Sequence, residues 1–328
     1  MINVRDIPKI ELHCHLDGSM QIASAQRILA AKGEHYTLEQ LEKKMRVPES
    51  CRSLADFLAC FDVPVECLQT AEGLEMAAYD LAVRESIDNV KYFEVRFAPS
   101  LSAGTGLKYT EIISCVDAGL KRAEEETGLH TGIIVCAMRD LPLEENMRMF
   151  REAREMLGCG VVGCDLAGDE AAYPLELYRE LFALARKLEM PFTIHSGETG
   201  NVNNIIEAVE LGAQRIGHGV AMRDRNDVMR LCAQHRVGVE VCPTSNLQTC
   251  AIRSIAEHPL RRFMEEGVRA IVCTDDMTAS GIDINHEFEL VQKSFELTDD
   301  EIKQLYRNGI DAAFADDSVK EELWKLWK

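Results

Sequence analysis

VVGCDLAGDEAAYPLELYRELFALARKLEMPFTIHSGE, residues 161–198, holds one full repeat of the pattern that decides the fold. An apolar run from Val161 to Leu166 reads as a strand. Leu177, Leu181, Leu184 and Leu188 then share one face of a helix, with Arg179, Glu180, Arg186 and Lys187 mostly off that face. A second apolar run, Pro191 to His195, reads as the next strand. Strand, helix and strand in succession imply parallel pairing, because parallel neighbours need a crossover connection. Working outward, runs of the same kind occur at Ile10 to His15, Val90 to Ala98, Thr131 to Met138, Arg215 to His218, Val237 to Cys242 and Arg269 to Thr274. Eight such runs alternating with helical patterns predict an α/β fold, a (β/α)8 TIM barrel, and a barrel can take all 328 residues as a single domain.

Two stretches interrupt the alternation. Residues 20–89 read as a helical insertion after the first strand, and residues from about 284 onward read as C-terminal helices. Thr298 and Glu301 form a capping-box signal ahead of Ile302, Leu305 and Tyr306, so the tail is expected to cover the outside of the barrel. With 46% hydrophobic and 28% charged residues, the chain has material for a large core and a charged surface, which excludes the disordered class. The N-terminal MINVRDIPKIELHCH lacks a basic region followed by an apolar run, and no later stretch offers about 18 uncharged apolar residues, so a cytoplasmic protein without a membrane partner is expected. Of twelve cysteines, Cys14, Cys136, Cys164, Cys242 and Cys273 sit in strand-like runs and no CxxC pair occurs, which favours buried reduced thiols. A net charge of -19 repels phosphate backbones, so a small uncharged ligand fits better than a nucleic acid. Nothing in the sequence specifies an oligomeric state.

The chemistry-bearing residues fall at strand ends. His13 and His15 are two apart on the first run, so both point to one face, with Asp17 just beyond. His195 ends the fifth run, His218 the sixth, and Asp275 with Asp276 the eighth. In a barrel these ends meet at the C-terminal mouth, where several histidines and a carboxylate suit zinc or another borderline divalent metal. Singly, each could be a histidine bound to a backbone carbonyl or a helix-capping aspartate. Four independent structural uses need not converge on one mouth. Glu198 follows His195 past a glycine that permits a tight turn, and could face the same cavity or serve as a helix N-terminal carboxylate. Gly168 could let a ligand approach the backbone, or could be a plain turn glycine.

HCHLDGS at 13–19, VRFAPS at 95–100, DLAGDE at 165–170, HSGE at 195–198, GHG at 217–219, CPTSN at 242–246 and TDD at 274–276 together resemble the adenosine deaminase family, in the family's order. That resemblance implies a zinc-dependent hydrolytic deaminase of adenosine or 2′-deoxyadenosine in purine salvage, with one Zn2+ per chain. It implies that His13, His15, His195 and Asp275 are the ligands, that His218 orients and deprotonates the attacking water, and that Glu198 exchanges a proton with purine N1. Asp276 would contact N7, the backbone N–H of Gly168 N3, and Asp17 the ribose 5′-hydroxyl. His15 would also border the substrate, while Ser19 and the loop around Phe57, Leu58 and Phe61 would help to close the pocket.

Met277 after TDD and Met20 after HLDGS depart from the family's usual residues, and both touch loops near the expected pocket. Relatives acting on adenine or modified adenosines share the metal residues, so those substrates remain an alternative. Asp17, where adenine-acting relatives typically carry glutamate, favours a nucleoside, as does RFAPS. The cytidine-type zinc deaminases carry HxE with PCxxC, which this chain lacks. A catalytically silent purine-binding barrel would be signalled by loss of a ligand, the acid or the orienting histidine, and none is missing. Another barrel metallohydrolase would leave the HSGE and TDD pair unexplained.

Overall fold

In the computed structural model, which describes residues 2–48, 51 and 59–327, all eight apolar runs contribute parallel strands. They are β1 (Lys9–His15), β2 (Val90–Phe97), β3 (His130–Met138), β4 (Val161–Ala167), β5 (His195–Ser196), β6 (Arg215–His218), β7 (Gly238–Val241) and β8 (Arg269–Val272). Ladders join β1-β2-β3-β4 and β5-β6-β7-β8, and two short seams close the ring. At one, Cys164 pairs with Phe192, the Cys164 N–H donating to the Pro191 carbonyl at 2.9 Å. At the other, Cys14 pairs with Asp275, the His15 N–H reaching the Asp275 carbonyl at 2.8 Å and the Asp275 N–H the His13 carbonyl at 2.7 Å. Closure removes the exposed edges that an open sheet must protect. The fifth run, expected as a strand over 191–195, is regularly paired only at His195–Ser196. Its first residue is proline, which has no N–H for a ladder.

β1 is not a regular strand. Its pairing steps from Glu11 opposite Phe93 to Cys14 opposite Val95, three residues against two, which is a bulge. Glu11 stabilises the irregular backbone on both sides of the seam. Its carboxylate accepts the His13 N–H at 2.8 Å and both the N–H and hydroxyl of Thr274 at 2.9 Å. The bulge therefore aims His13 and His15 at the centre of the mouth.

The helix after β4 buries a face different from the expected leucine stripe. A 3-10 turn over Leu175–Tyr178 precedes the α-helix Arg179–Lys187, and the buried residues are Leu175, Tyr178, Leu181, Phe182 and Ala185. Leu177 is 53% exposed, because three residues per turn in the first segment rotate the stripe away from it. In the insertion, helices run over Ile22–Ala31, Leu38–Met45, Asp62–Cys67 and Ala71–Ile87. The last packs against β2 and the helix Tyr109–Thr127, so it belongs to the barrel's own ring of helices.

The tail differs from expectation in where it ends. The Thr298 capping box starts the helix Asp299–Ala312, whose Ile302, Leu305 and Tyr306 are buried. Beyond it, the chain plugs the N-terminal end of the barrel rather than only covering the outside. The Ala312 carbonyl accepts from Arg215 Nη1 at 2.9 Å, and the Phe314 N–H donates to Glu94 at 2.7 Å. Cys14, Cys136, Cys164, Cys242 and Cys273 are buried free thiols. Among the described residues, no helix is long and apolar enough to cross a membrane.

Candidate functional site

The ligand-capable atoms of His13, His15, His195 and Asp275 lie within 4.8 Å of one another at the C-terminal mouth. Asp275 Oδ1 is 3.1 Å from His13 Nε2 and 3.3 Å from His15 Nε2, and the Nε2 atoms of His15 and His195 are 3.2 Å apart. His13 Nε2 is fully buried yet makes no hydrogen bond. A proton placed between two imidazoles serves only that pair, whereas a cation among the four atoms serves all of them. Three nitrogens and one carboxylate oxygen match the donor set of zinc and similar divalent ions. Asp275 and His218 both hold left-handed backbone, at φ +65 and +64, a cost that surrounding contacts must sustain.

On the far side of two of the three imidazoles, those of His13 and His195, stands a buried carboxylate. His13 Nδ1 lies 2.7 Å from Glu240 Oε2, and His195 Nδ1 lies 2.9 Å from Asp165 Oδ2. Such partners set the tautomer that leaves Nε2 free for an ion. Arg96 bridges the two carboxylates, at 2.9 Å to Asp165 and 2.9 Å to Glu240, while Arg215 holds the second Glu240 oxygen at 2.6 Å and also pairs with Glu94. Burial alone would push the Glu240 carboxyl up, but Arg96 and Arg215 outweigh it and hold the group well below the usual carboxylate range. Burial likewise raises Asp165, and His195 with Arg96 reverse the effect. Sequence reading missed Asp165, Glu240 and Arg96 as site residues. Their signal was charge inside an apolar run: Asp165 alone in GCDLA, Glu240 alone in VGVEVC, and Arg96 with Glu94 in FEVRF.

Above this cluster opens a cleft of about 840 Å3, lined on one side by Val65, Ala98, Leu101, Met138 and Ala167, and on the other by His15, Asp17, Glu198, His218 and Asp276. The Asn246 side-chain amide lies 3.0 Å from His218 Nδ1 and fixes the ring, leaving Nε2 3.8 Å from Glu198 Oε2. Gly168 adopts φ +103 at the end of β4 and presents bare backbone to the cleft, where a side chain would be strained. Asp276 is 4% exposed, and a Cβ on Gly18 would fall 1.7 Å from its Oδ1, so the glycine makes room for this carboxyl. Burial, then the charges of Asp275, Asp17 and Glu198, push Asp276 well above the usual carboxylate range. Burial raises Asp17 to about 6 although its Oδ1 accepts the Gly18 N–H at 3.0 Å. Phe61 lines the cleft, while Phe57 and Leu58 lie outside the described residues.

Ser19 does not line the cleft. It is buried, and its hydroxyl accepts the Met277 N–H at 2.9 Å while donating to the Asp275 carbonyl at 3.4 Å, so it braces the β1–β8 seam.

The family model for adenosine deaminase matches residues 8–326. The chain belongs to the adenosine deaminase family. Among curated relatives, the adenosine deaminase of Enterococcus faecalis is 40% identical over 324 residues, 98% of this chain and 96% of that protein. Among solved structures, an adenine deaminase from Arthrobacter aurescens superposes with a TM-score of 0.88 at 25% identity, covering 97% of each chain. An N6-methyl-AMP deaminase from Arabidopsis thaliana gives 0.86 at 26% identity, over 99% of this chain and 97% of that one. Membership makes this chain a hydrolytic deaminase on a metal-dependent amidohydrolase barrel.

Proposed function

We propose that this chain converts adenosine and 2′-deoxyadenosine to inosine and 2′-deoxyinosine with release of ammonia, using one zinc ion per chain held by His13, His15, His195 and Asp275. The observation that carries the reading is the convergence of that donor set with Glu198, His218 and Asp276 on one half-apolar cleft. A divalent ion held there supplies the Lewis acidity that makes water a nucleophile near neutral pH.

This chain's own groups do the rest. His218 Nε2, oriented by Asn246, faces the same space and takes a proton from the water that adds at C6. Glu198 gives a proton to N1, so the electron pair of the C6–N1 double bond can move onto nitrogen as the new C–O bond forms. The amino group then takes up a proton and leaves as ammonia, and the C6 oxygen becomes a carbonyl. Asp276, whose carboxyl burial and then neighbouring charge push up, donates a hydrogen bond in its protonated form to N7, an acceptor. The Gly168 N–H meets N3, and the apolar wall takes the face of the ring. Asp17 accepts the ribose 5′-hydroxyl, and a phosphate in that place would meet a like charge.

Phe61, carried by the insertion, closes one edge of the pocket, and residues 1–328 act as one barrel domain. Small purine nucleosides are its partners, not nucleic acid or membrane, and buried thiols without disulfides fit a cytoplasmic setting. Replacing Glu198 by Gln keeps shape and removes the proton, and should lower kcat for adenosine at least about a hundredfold with metal and substrate still bound. Near-normal turnover would assign N1 protonation to another group.

A further inference from the structure

Among the described residues the Glu198 side chain makes no hydrogen bond; His218 Nε2 stands 3.8 Å from its Oε2, and the Asp276 carboxyl is near enough to feel its charge. Its placement must therefore come from its backbone. The backbone of that loop is held by one carboxylate, Glu170, which is 2% exposed and sits two residues beyond Gly168 at the end of β4. Glu170 Oε1 accepts the Gly197 N–H at 2.5 Å and the Asn204 side-chain amide at 2.7 Å. Its Oε2 accepts the N–H of Glu198 at 2.9 Å, the N–H of Thr199 at 3.1 Å and the Thr199 hydroxyl at 3.2 Å. Three successive backbone donors aimed at one anion form a concave nest, made possible here by Gly197 at φ +82.

We infer that Glu170 is the positioning residue for Glu198: from the end of β4 it holds the loop after β5 in the one arrangement that points the Glu198 carboxyl at the base. This rests on the reading of Glu198 as the proton donor to N1. Both Glu170 oxygens are saturated with donors, so it has no lone pair free to act as an acid, a base or a metal ligand. Its reach also couples the two sides of the cleft. Gly168 on its own strand end and Glu198 on the next would contact N3 and N1 of the same ring, and Glu170 sets the gap between them. The loop has little freedom to compensate, since a Cβ on Gly197 would meet Ile205 Cδ1 at 2.5 Å, and Asn204 is itself tied to the Leu175 N–H at 3.0 Å.

The test is a double-mutant cycle on the metal-loaded enzyme with adenosine as substrate. Glu170→Gln puts an NH2 group against N–H donors and should lower kcat about 10- to 100-fold, the cost of a misplacement near 1 Å, with metal content unchanged. In a Glu198→Gln background the same substitution should cost less than about twofold further, because there is no longer a proton donor to misplace. Glu170→Asp, which keeps the charge but falls one methylene short, should lose less kcat than Glu170→Gln and show the same loss of effect in the Glu198→Gln background, and it serves if Glu170→Gln fails to fold. Wild-type kcat in both Glu170 variants would overturn the inference. So would losses that multiply with Glu198→Gln, or a kcat loss explained by loss of metal, since a merely structural role predicts those. A Glu198→Gln enzyme that is itself fully active would instead refute the assignment of Glu198, and is read separately from the cycle.

Discussion

Replacing Asp165 by Asn perturbs the candidate metal cluster without touching a proposed ligand. Asp165 Oδ1 accepts the Leu166 N–H at 2.7 Å and the His195 N–H at 3.3 Å, while Oδ2 faces His195 Nδ1 at 2.9 Å and Arg96 Nη1 at 2.9 Å. Asparagine has one acceptor oxygen, and the two backbone donors claim it. Its NH2 group then faces two further donors, the His195 Nδ1–H and the arginine. The imidazole can escape the conflict by moving its proton to Nε2, the atom needed for the ion. Loss of such a partner costs about 10- to 100-fold in metal affinity, or roughly 1.4 to 2.7 kcal/mol. Arg96 keeps Glu240 and the Leu12 carbonyl, so the barrel should still fold, with a stability loss of about 1.5 to 3 kcal/mol for the charge-assisted bond. The assay is competition between apo-protein and a zinc chelator of known affinity, paired with kcat at saturating zinc. The expected result is a zinc Kd raised at least about tenfold and kcat within a few-fold of wild type once metal is saturating. An unchanged Kd, or a kcat that saturating zinc does not restore, would refute the reasoning.

Asp17→Ala should lower kcat/KM for adenosine about ten- to a hundredfold and change it little for adenine, because an unpaired buried polar group costs roughly 1 to 3 kcal/mol; equal losses on both substrates would remove the ribose contact. Glu287, fully buried on the helix Ile284–Ser294, has its carboxyl pushed from 4.5 to about 8 by burial, so the fold keeps it protonated where the unfolded chain releases its proton. The stability it contributes is present below about 4.5 and is lost as pH rises toward about 8, at about 1.4 kcal/mol per pH unit. Glu287→Gln should therefore match wild type in urea unfolding near pH 4.5 and exceed it by a few kcal/mol near pH 8.5, and a pH-independent difference would contradict this.

The barrel was legible because its cause is local. Apolar strands buried on both faces leave continuous runs, and the turn and helix residues between them punctuate the chain. The convergence of the candidate site residues was legible for a related reason: polar groups ending apolar runs must surface together at one mouth. What could not be read depends on the third dimension. The exposed Leu177 follows from a 3-10 turn that carries no distinct apolar period, and the plug made by Ala312 and Phe314 depends on where a helix ends in space. The β1 bulge is set by pairing register, which Glu11 stabilises from within its own strand. Ser19 lay in a recognisable motif, yet its task at the seam becomes visible only when Met277 and Asp275 are placed beside it. Glu170 was quoted in DLAGDE without a role, because nothing in the chain from 165 to 170 shows that three N–H groups from 197–199 will converge on it.

The central claim is most directly tested by measuring ammonia release as kcat/KM by the zinc-loaded protein across adenosine, 2′-deoxyadenosine, adenine, AMP and N6-methyl-AMP. Adenosine and 2′-deoxyadenosine should exceed adenine and both nucleotides by at least about tenfold, since in the proposed pose Asp17 pairs with a 5′-hydroxyl and would repel a phosphate. A preference for adenine or for either nucleotide, or release of ammonia that persists undiminished after the metal is removed, would contradict the account.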